Sequence, residues 1–207
     1  RSTFTKSKKG GILSNMTFIY INKGENEKAT LLMKKAREES PDDINLMYAE
    51  AKMYYESGDM INYKKIINEV IINEPNNPDL YYNLGVASAK NDEKEEALIY
   101  YTKAIELNPD YIEALINKAQ LILDGESAIV EEMNALGTSN ADYDKYDLLK
   151  IKKNDIYREA LPYLESASRL RPESMDIVRT LKGIYGILGM DEEENAMEAI
   201  IENNENE

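Results

Sequence analysis

Three prolines, Pro41, Pro75 and Pro109, stand 34 residues apart, and the residues between them recur in kind as well as in spacing. A repeat of this sort constrains the fold more tightly than composition does. A chain with a period of roughly 20–50 residues builds one small supersecondary unit several times over. The clearest unit runs from Pro78 to Tyr111 and reads PDLYYNLGVASAKNDEKEEALIYYTKAIELNPDY. Its first half carries Tyr81, Leu84 and Gly85, its second Ala97, Tyr101 and Ala104, and Pro109 closes it. One period earlier, residues 44–77 hold Met47, Ala51, Tyr54, Gly58, Ile67, Val70 and Pro75. One period before that, residues 10–43 hold Met16, Tyr20, Gly24, Ala29, Met33, Ala36 and Pro41.

The pattern has a mechanical reading. Each unit is a pair of antiparallel helices that cannot bury its apolar faces alone and stacks on its neighbours. Small residues (Ala51, Gly85 and Ala119 on first helices, Ala29, Ala97 and Ala160 on second helices) let helix axes approach. Bulky Met47, Tyr81 and Leu115 fill the gaps between neighbours. Tyr63 stands where a small second-helix residue is expected, which predicts looser packing there. Asn77-Pro78-Asp79 supplies an N-cap, a first-position Pro and a first-turn carboxylate. Asp92 with Glu95, Asp110 with Glu113 and Asp191 with Glu194 have capping-box spacing. Gly24, Gly58 and Gly189 sit where the turn between helices needs a positive φ.

The residues of the 78–111 unit resemble the tetratricopeptide-repeat (TPR) consensus, in which a bulky residue, Leu-Gly, Ala, an aromatic, Ala and Pro hold fixed places. The resemblance implies an all-α fold: a right-handed TPR superhelix, or α-α solenoid, of about five helix pairs. The chain then divides into a basic linker (1–9), units at 10–43, 44–77, 78–111 and 112–174, and a C-terminal capping unit with a frayed tail (175–207). The fourth unit is interrupted. The Ala due near residue 131 is found at Ala160, so a helical insertion at 124–152 is expected. Ser127 is expected to cap a short helix stopped by Gly137, and Asn140 or Asp142 to start a long one, with a kink or break at Pro162. The stretch Ala128 to Ala167 resembles an insertion in TPR proteins of bacterial cell envelopes. That implies an exported, periplasmic or envelope-associated chain with further repeats upstream. The opening Arg1-Ser2-Thr3, with no initiator Met, reads as a processed chain or a piece of a longer one.

Composition excludes more than it assigns. The net charge is −14, and because Arg1, Lys6, Lys8 and Lys9 are basic the remainder is more acidic still. Such a body repels phosphate, so nucleic acid is not an expected partner. No apolar run is long enough for membrane insertion. The chain has neither cysteine nor histidine, which removes thiolate chemistry, the commonest acid–base residue and the commonest metal ligands. No cofactor, metal or catalytic residue is expected. The acids of Asn140–Asp147 (NADYDKYD) alternate like a calcium loop, but Lys145 and Ile151 replace the Gly and Glu such a loop requires. The acidic runs Glu93–Glu96 and Asp191–Glu194 read as helix starts, not catalytic pairs.

A stacked array presents its first helices on an inner surface. By register the inward positions are Asn15, Phe18 and Asn22; then Tyr48, Lys52 and Tyr55; then Tyr82, Asn83, Val86 and Lys90; then Ile116, Asn117 and Gln120. Asn15, Asn83 and Asn117 share one repeat position. In peptide-binding TPR proteins such an Asn holds the backbone of an extended ligand, and tyrosines beside it offer rigid area with a polar tip. Lys52 and Lys90 do not form the Lys/Asn/Arg carboxylate clamp of chaperone-binding members. The function expected is a non-catalytic scaffold for a peptide or partner protein. A self-associating subunit that uses the insertion and a regulatory part of a longer enzyme remain as alternatives. If the register is right, Ala97→Leu overpacks a helix pair and costs about 1–3 kcal/mol, read as a lowered melting temperature; an unchanged melt would show the register to be wrong.

Overall fold

The computed structural model describes residues 2–205, and every regular element among them is an α-helix. In chain order these are α1 (Ser2–Asn22), α2 (Asn26–Glu39), α3 (Ile44–Ser57), α4 (Met60–Asn73), α5 (Pro78–Lys90), α6 (Lys94–Leu107), α7 (Ile112–Leu123), α8 (Glu126–Asn134), α9 (Asn140–Leu170), α10 (Met175–Leu188) and α11 (Asp191–Glu205). The chain forms two compact units, Arg1–Tyr100 and Tyr101–Glu207.

One backbone device closes the helix hairpins. The N–H of Glu25 donates to the carbonyl of Tyr20, that of Asp59 to Tyr54 and that of Glu93 to Ser88, each at 2.9 Å and 34 residues from the last. Met190 repeats the bond to Tyr185 at 2.9 Å between α10 and α11. Such a bond reaches back five residues and requires one left-handed residue at the turn. Gly24, Gly58 and Gly189 supply it with φ of +74°, +78° and +69°, and Asp92 does so with φ of +58°. The short link folds each second helix back along the first, so α1 packs on α2, α3 on α4 and α10 on α11.

Where α7 ends, the corresponding residue is Glu126, and it is helical. Asp124 and Gly125 keep right-handed helical dihedrals, so the chain runs straight into α8 instead of reversing. Reversal comes later, and α9 packs on both α7 and α8. Between hairpins a second turn repeats: Ser40, Glu74 and Asn108 each donate four residues back and accept from Asp43, Asn77 and Tyr111, and this paired arrangement next recurs at Arg171 with Ser174, 63 residues beyond Asn108.

Among the described residues, unit 1 holds these clusters of buried side chains. Ala29, Met33, Ala49 and Met53 pack between α2 and α3, with Phe18 and Tyr20 of α1 against them. Met47, Ala51, Ile67, Val70, Leu80 and Leu84 pack among α3, α4 and α5. In unit 2 Leu115, Ala119 and Ile122 of α7, Leu149, Tyr157, Ala160 and Leu164 of α9, and Leu181 and Tyr185 of α10 are buried.

Several local expectations are corrected. Residues 2–9, expected as a linker, are the first turns of α1, and Gly10-Gly11 does not interrupt the helix. The C-terminal part of α1 packs on α2 and α3, and helix propagates from an anchored segment because each added residue gains a bond. None of the three expected capping boxes forms. Asp92 is the left-handed turn residue, α7 has Tyr111 as its N-cap, and α11 begins at Asp191 itself. Ser127 lies inside α8, whose N-cap is Gly125. The capping box at α9 is formed by Ser139 with Asp142. Pro162 lies within α9 without breaking it.

Asp92 carries a side chain where the equivalent turns have glycine. Asp92→Gly should stabilise by about 0.5–1 kcal/mol, the left-handed penalty of about 1–2 kcal/mol less glycine's greater unfolded freedom. Thermal melting checks this, with Asp92→Ala expected to melt below Asp92→Gly.

Candidate functional site

The site is built on α3, α4 and α5, all in unit 1. Tyr48, Lys52 and Tyr55 stand on one face of α3, at the three- and four-residue intervals that align side chains along a helix. On α5, Val86 follows Tyr82 by four residues and Asn83 by three. Together they ring a cavity of about 450 Å³. Its base is supplied by Ala51 of α3 with Tyr63 and Ile67 of α4. Ala51 is 2% exposed, and its lack of a larger side chain leaves room for the aromatic rings above it.

The rings are fixed by polar contacts. The Tyr48 hydroxyl donates to Glu74 Oε2 at 2.7 Å, and burial together with that carboxylate pushes its phenol up to about 12. Tyr55 lies against Tyr63 with centroids 5.3 Å apart and planes tilted by 57°. Lys90 Nζ donates to the Tyr55 hydroxyl at 2.7 Å and sits 4.4 Å from the centre of the same ring. Lys52 Nζ lies 5.1 Å from the Phe18 ring centre and 3.6 Å from Glu56 Oε1. Such cation–π placements hold an ammonium in place without neutralising it.

Tyr63 was expected to loosen its surroundings. Instead it is 7% exposed and packs within the cluster of Met47, Ile66 and Val70. Burial pushes its phenol up to about 12, with the Tyr55 ring a smaller cause. Tyr63 and Ile67 of α4 and Ala51 of α3 complete the cavity yet were not among the inward positions, because register assigns α4 to the outer layer and reads Ala51 as a small residue for helix packing. The signal available was Tyr63 itself, an aromatic in a small-residue slot.

The remaining inward positions fall elsewhere. Asn15 and Asn22 are exposed on α1 and do not line the cavity, whereas Phe18 is half-buried. Ile116, Asn117 and Gln120 belong to α7 in unit 2, where Gln120 donates to Asp124 Oδ1 at 2.8 Å. Among the described residues no group of three or more His, Cys, Asp or Glu could hold a metal, and no helix is long and apolar enough to cross a membrane.

Residues 78–111 match the family model described as tetratricopeptide repeat. The chain therefore carries a tetratricopeptide repeat over those residues. A curated relative, the Photosystem I assembly protein Ycf3 of Acaryochloris marina, is 31% identical over 96 residues. That match takes in 44% of this chain and 57% of the relative, so this chain spans only about half of Ycf3. Among solved structures, MamA protein aligns with a TM-score of 0.64 at 18% identity, covering 96% of this chain and 93% of MamA. A tetratricopeptide repeat protein from Parabacteroides merdae aligns with a TM-score of 0.51 at 17% identity, covering 95% and 78% respectively. At such identities these two establish a shared fold.

The Tyr63 ring and its hydroxyl make separable contributions. The ring fills the cluster, so Tyr63→Ala should cost about 3–5 kcal/mol by analogy with other buried aromatics. The hydroxyl makes no hydrogen bond with any described residue. Tyr63→Phe should therefore change stability by less than about 0.5 kcal/mol in a denaturant titration, since no paired group is lost.

Proposed function

We propose that this protein is a non-catalytic scaffold that holds a peptide or partner segment in the groove of its first helices. The aromatic cavity of unit 1 is the anchoring point. The observation that carries the reading is the set of three tyrosines, Tyr48, Tyr55 and Tyr82, ringing one cavity beside Asn83. Tyrosines give large, rigid contact area at low entropic cost, and a small number of such anchors dominates binding energy. The Asn83 amide offers a donor and an acceptor to an extended backbone. Ile116, Asn117 and Gln120 on α7 occupy the equivalent repeat positions within unit 2.

The name of the Ycf3 relative, an assembly protein, supports a role in bringing subunits together. The resemblance of Ala128–Ala167 to envelope proteins supports a bacterial envelope assembly as its setting. A second reading is self-association through α9, whose Tyr143, Leu148 and Ile151 are 59%, 61% and 56% exposed. A monomer at all concentrations in sedimentation would remove that second reading.

Affinity capture from the source cell, using the full chain as bait, tests the first. Tyr82→Ala and Asn83→Ala should each lose the captured partner while keeping the helical circular-dichroism signal. Capture that is undiminished in both variants would overturn the groove as the binding surface.

A further inference from the structure

The cavity of unit 1 holds a polar group that the fold leaves unused. Tyr63 is 7% exposed and lines the cavity, and its hydroxyl is bonded to no described residue. The hydroxyl oxygen itself is not shut off from solvent, so it is free to meet a ligand in the cavity, and its raised pKa keeps it a proton donor at ordinary pH. It therefore favours a ligand that brings a carbonyl or carboxylate oxygen. The rest of the base, Ala51 and Ile67, is apolar and favours a hydrocarbon or aromatic side chain.

The rim adds charge. Lys52 meets Glu56 only at 3.6 Å, with both side chains 40% or more exposed, a pairing worth little in water. Lys90 forms no ion pair with a described residue, and its ammonium is held on Tyr55. At the Tyr48 end, Glu74 is taken by the Tyr48 hydroxyl at 2.7 Å and the Asn77 amide at 2.8 Å, and Asp79 also acts on that phenol. Two ammonium groups thus stand beside an apolar cavity on a chain whose net charge is −14.

We propose that the cavity takes an acidic peptide segment of a partner protein, seating an aromatic or long apolar side chain against Ala51, Ile67 and Tyr63 and a neighbouring carboxylate at Lys52 and Lys90. This rests on the groove reading above and specifies its ligand. A volume of about 450 Å³ admits one large side chain with adjoining backbone, not a folded domain. Lysine ammoniums serve as point charges without the fixed fork of arginine, so the carboxylate is selected by charge and the anchor by shape. Complementary charge discriminates against wrong partners more than it adds affinity.

Fluorescence anisotropy on the full chain tests this, using a labelled peptide of sequence Gly-Ser-Asp-Phe-Asp-Ser-Gly. Matched peptides carry both Asp replaced by Asn, both replaced by Lys, or Phe replaced by Gly. The acidic aromatic peptide should bind, with the Asn and Gly versions each about tenfold weaker and the Lys version weaker still. The Lys52→Ala/Lys90→Ala double variant should lose about tenfold for the acidic peptide and little for the Asn peptide. Tyr63→Phe should weaken the acidic peptide about threefold at unchanged melting temperature. Neutral or basic peptides binding as tightly as the acidic one would overturn the proposal. If that binding still required Tyr82 and Asn83, the groove reading would survive. Binding of none of the four would also overturn it, and capture by the Tyr82→Ala and Asn83→Ala variants would then judge the groove separately.

Discussion

A single backbone hydrogen bond, from the residue after a left-handed turn back to a carbonyl five residues earlier, governs where this chain reverses. It recurs at Glu25, Asp59 and Glu93 with the sequence period and returns at Met190. Everything downstream depends on it. The second helix can fold along the first only if one residue accepts a positive φ, and small residues such as Ala29 and Ala97 can bring axes together only once the hairpin is closed. The fourth unit shows the converse. With Glu126 at the turn position and helical, α7 continues into α8, and the reversal waits for α9.

Within unit 1, two cations reinforce this arrangement. Arg37 of α2, 15% exposed, donates to Glu50 of α3 at 2.8 Å, to Glu69 of α4 at 2.5 Å and to the Pro41 carbonyl. Lys64 of α4 reaches Ser88 at 3.2 Å as well as Glu93 and Glu96, and its ammonium holds the Glu93 carboxyl down to about 2. Burial raises the Glu50 carboxyl, the Glu69 carboxylate adds to that, and Arg37 opposes it. Charges placed this way fix which helices neighbour one another more than they add net stability, because desolvation offsets much of the attraction. The same helices carry the cavity, so its walls inherit their spacing.

The sequence was most legible where local chemistry decides the outcome. The 34-residue phase, the glycines at 24, 58 and 189 and the N-cap at Asn77 each follow from one residue's backbone preference. The face of α3 bearing Tyr48, Lys52 and Tyr55 follows from helical spacing. Caps at Asp92 and Asp191 were misplaced because the turn bond, not the side-chain cap, sets where those helices begin, and Asp110 falls outside α7, whose N-cap is Tyr111. The role of Tyr63 was not legible, since an aromatic in a small-residue slot either pries helices apart or fills space left elsewhere, and only its neighbours settle which.

The sequence alone therefore determined the unit, its period and the helix faces, because these rest on dihedral preference and side-chain spacing within a few residues. Tertiary structure decided that Tyr63 packs beneath the tyrosines of α3 and α5, that Asn15 and Asn22 stay outside the cavity, and that Lys90 lies on the Tyr55 ring. Those outcomes depend on which side chains from separate helices compete for one volume, a quantity that no segment of the chain contains by itself.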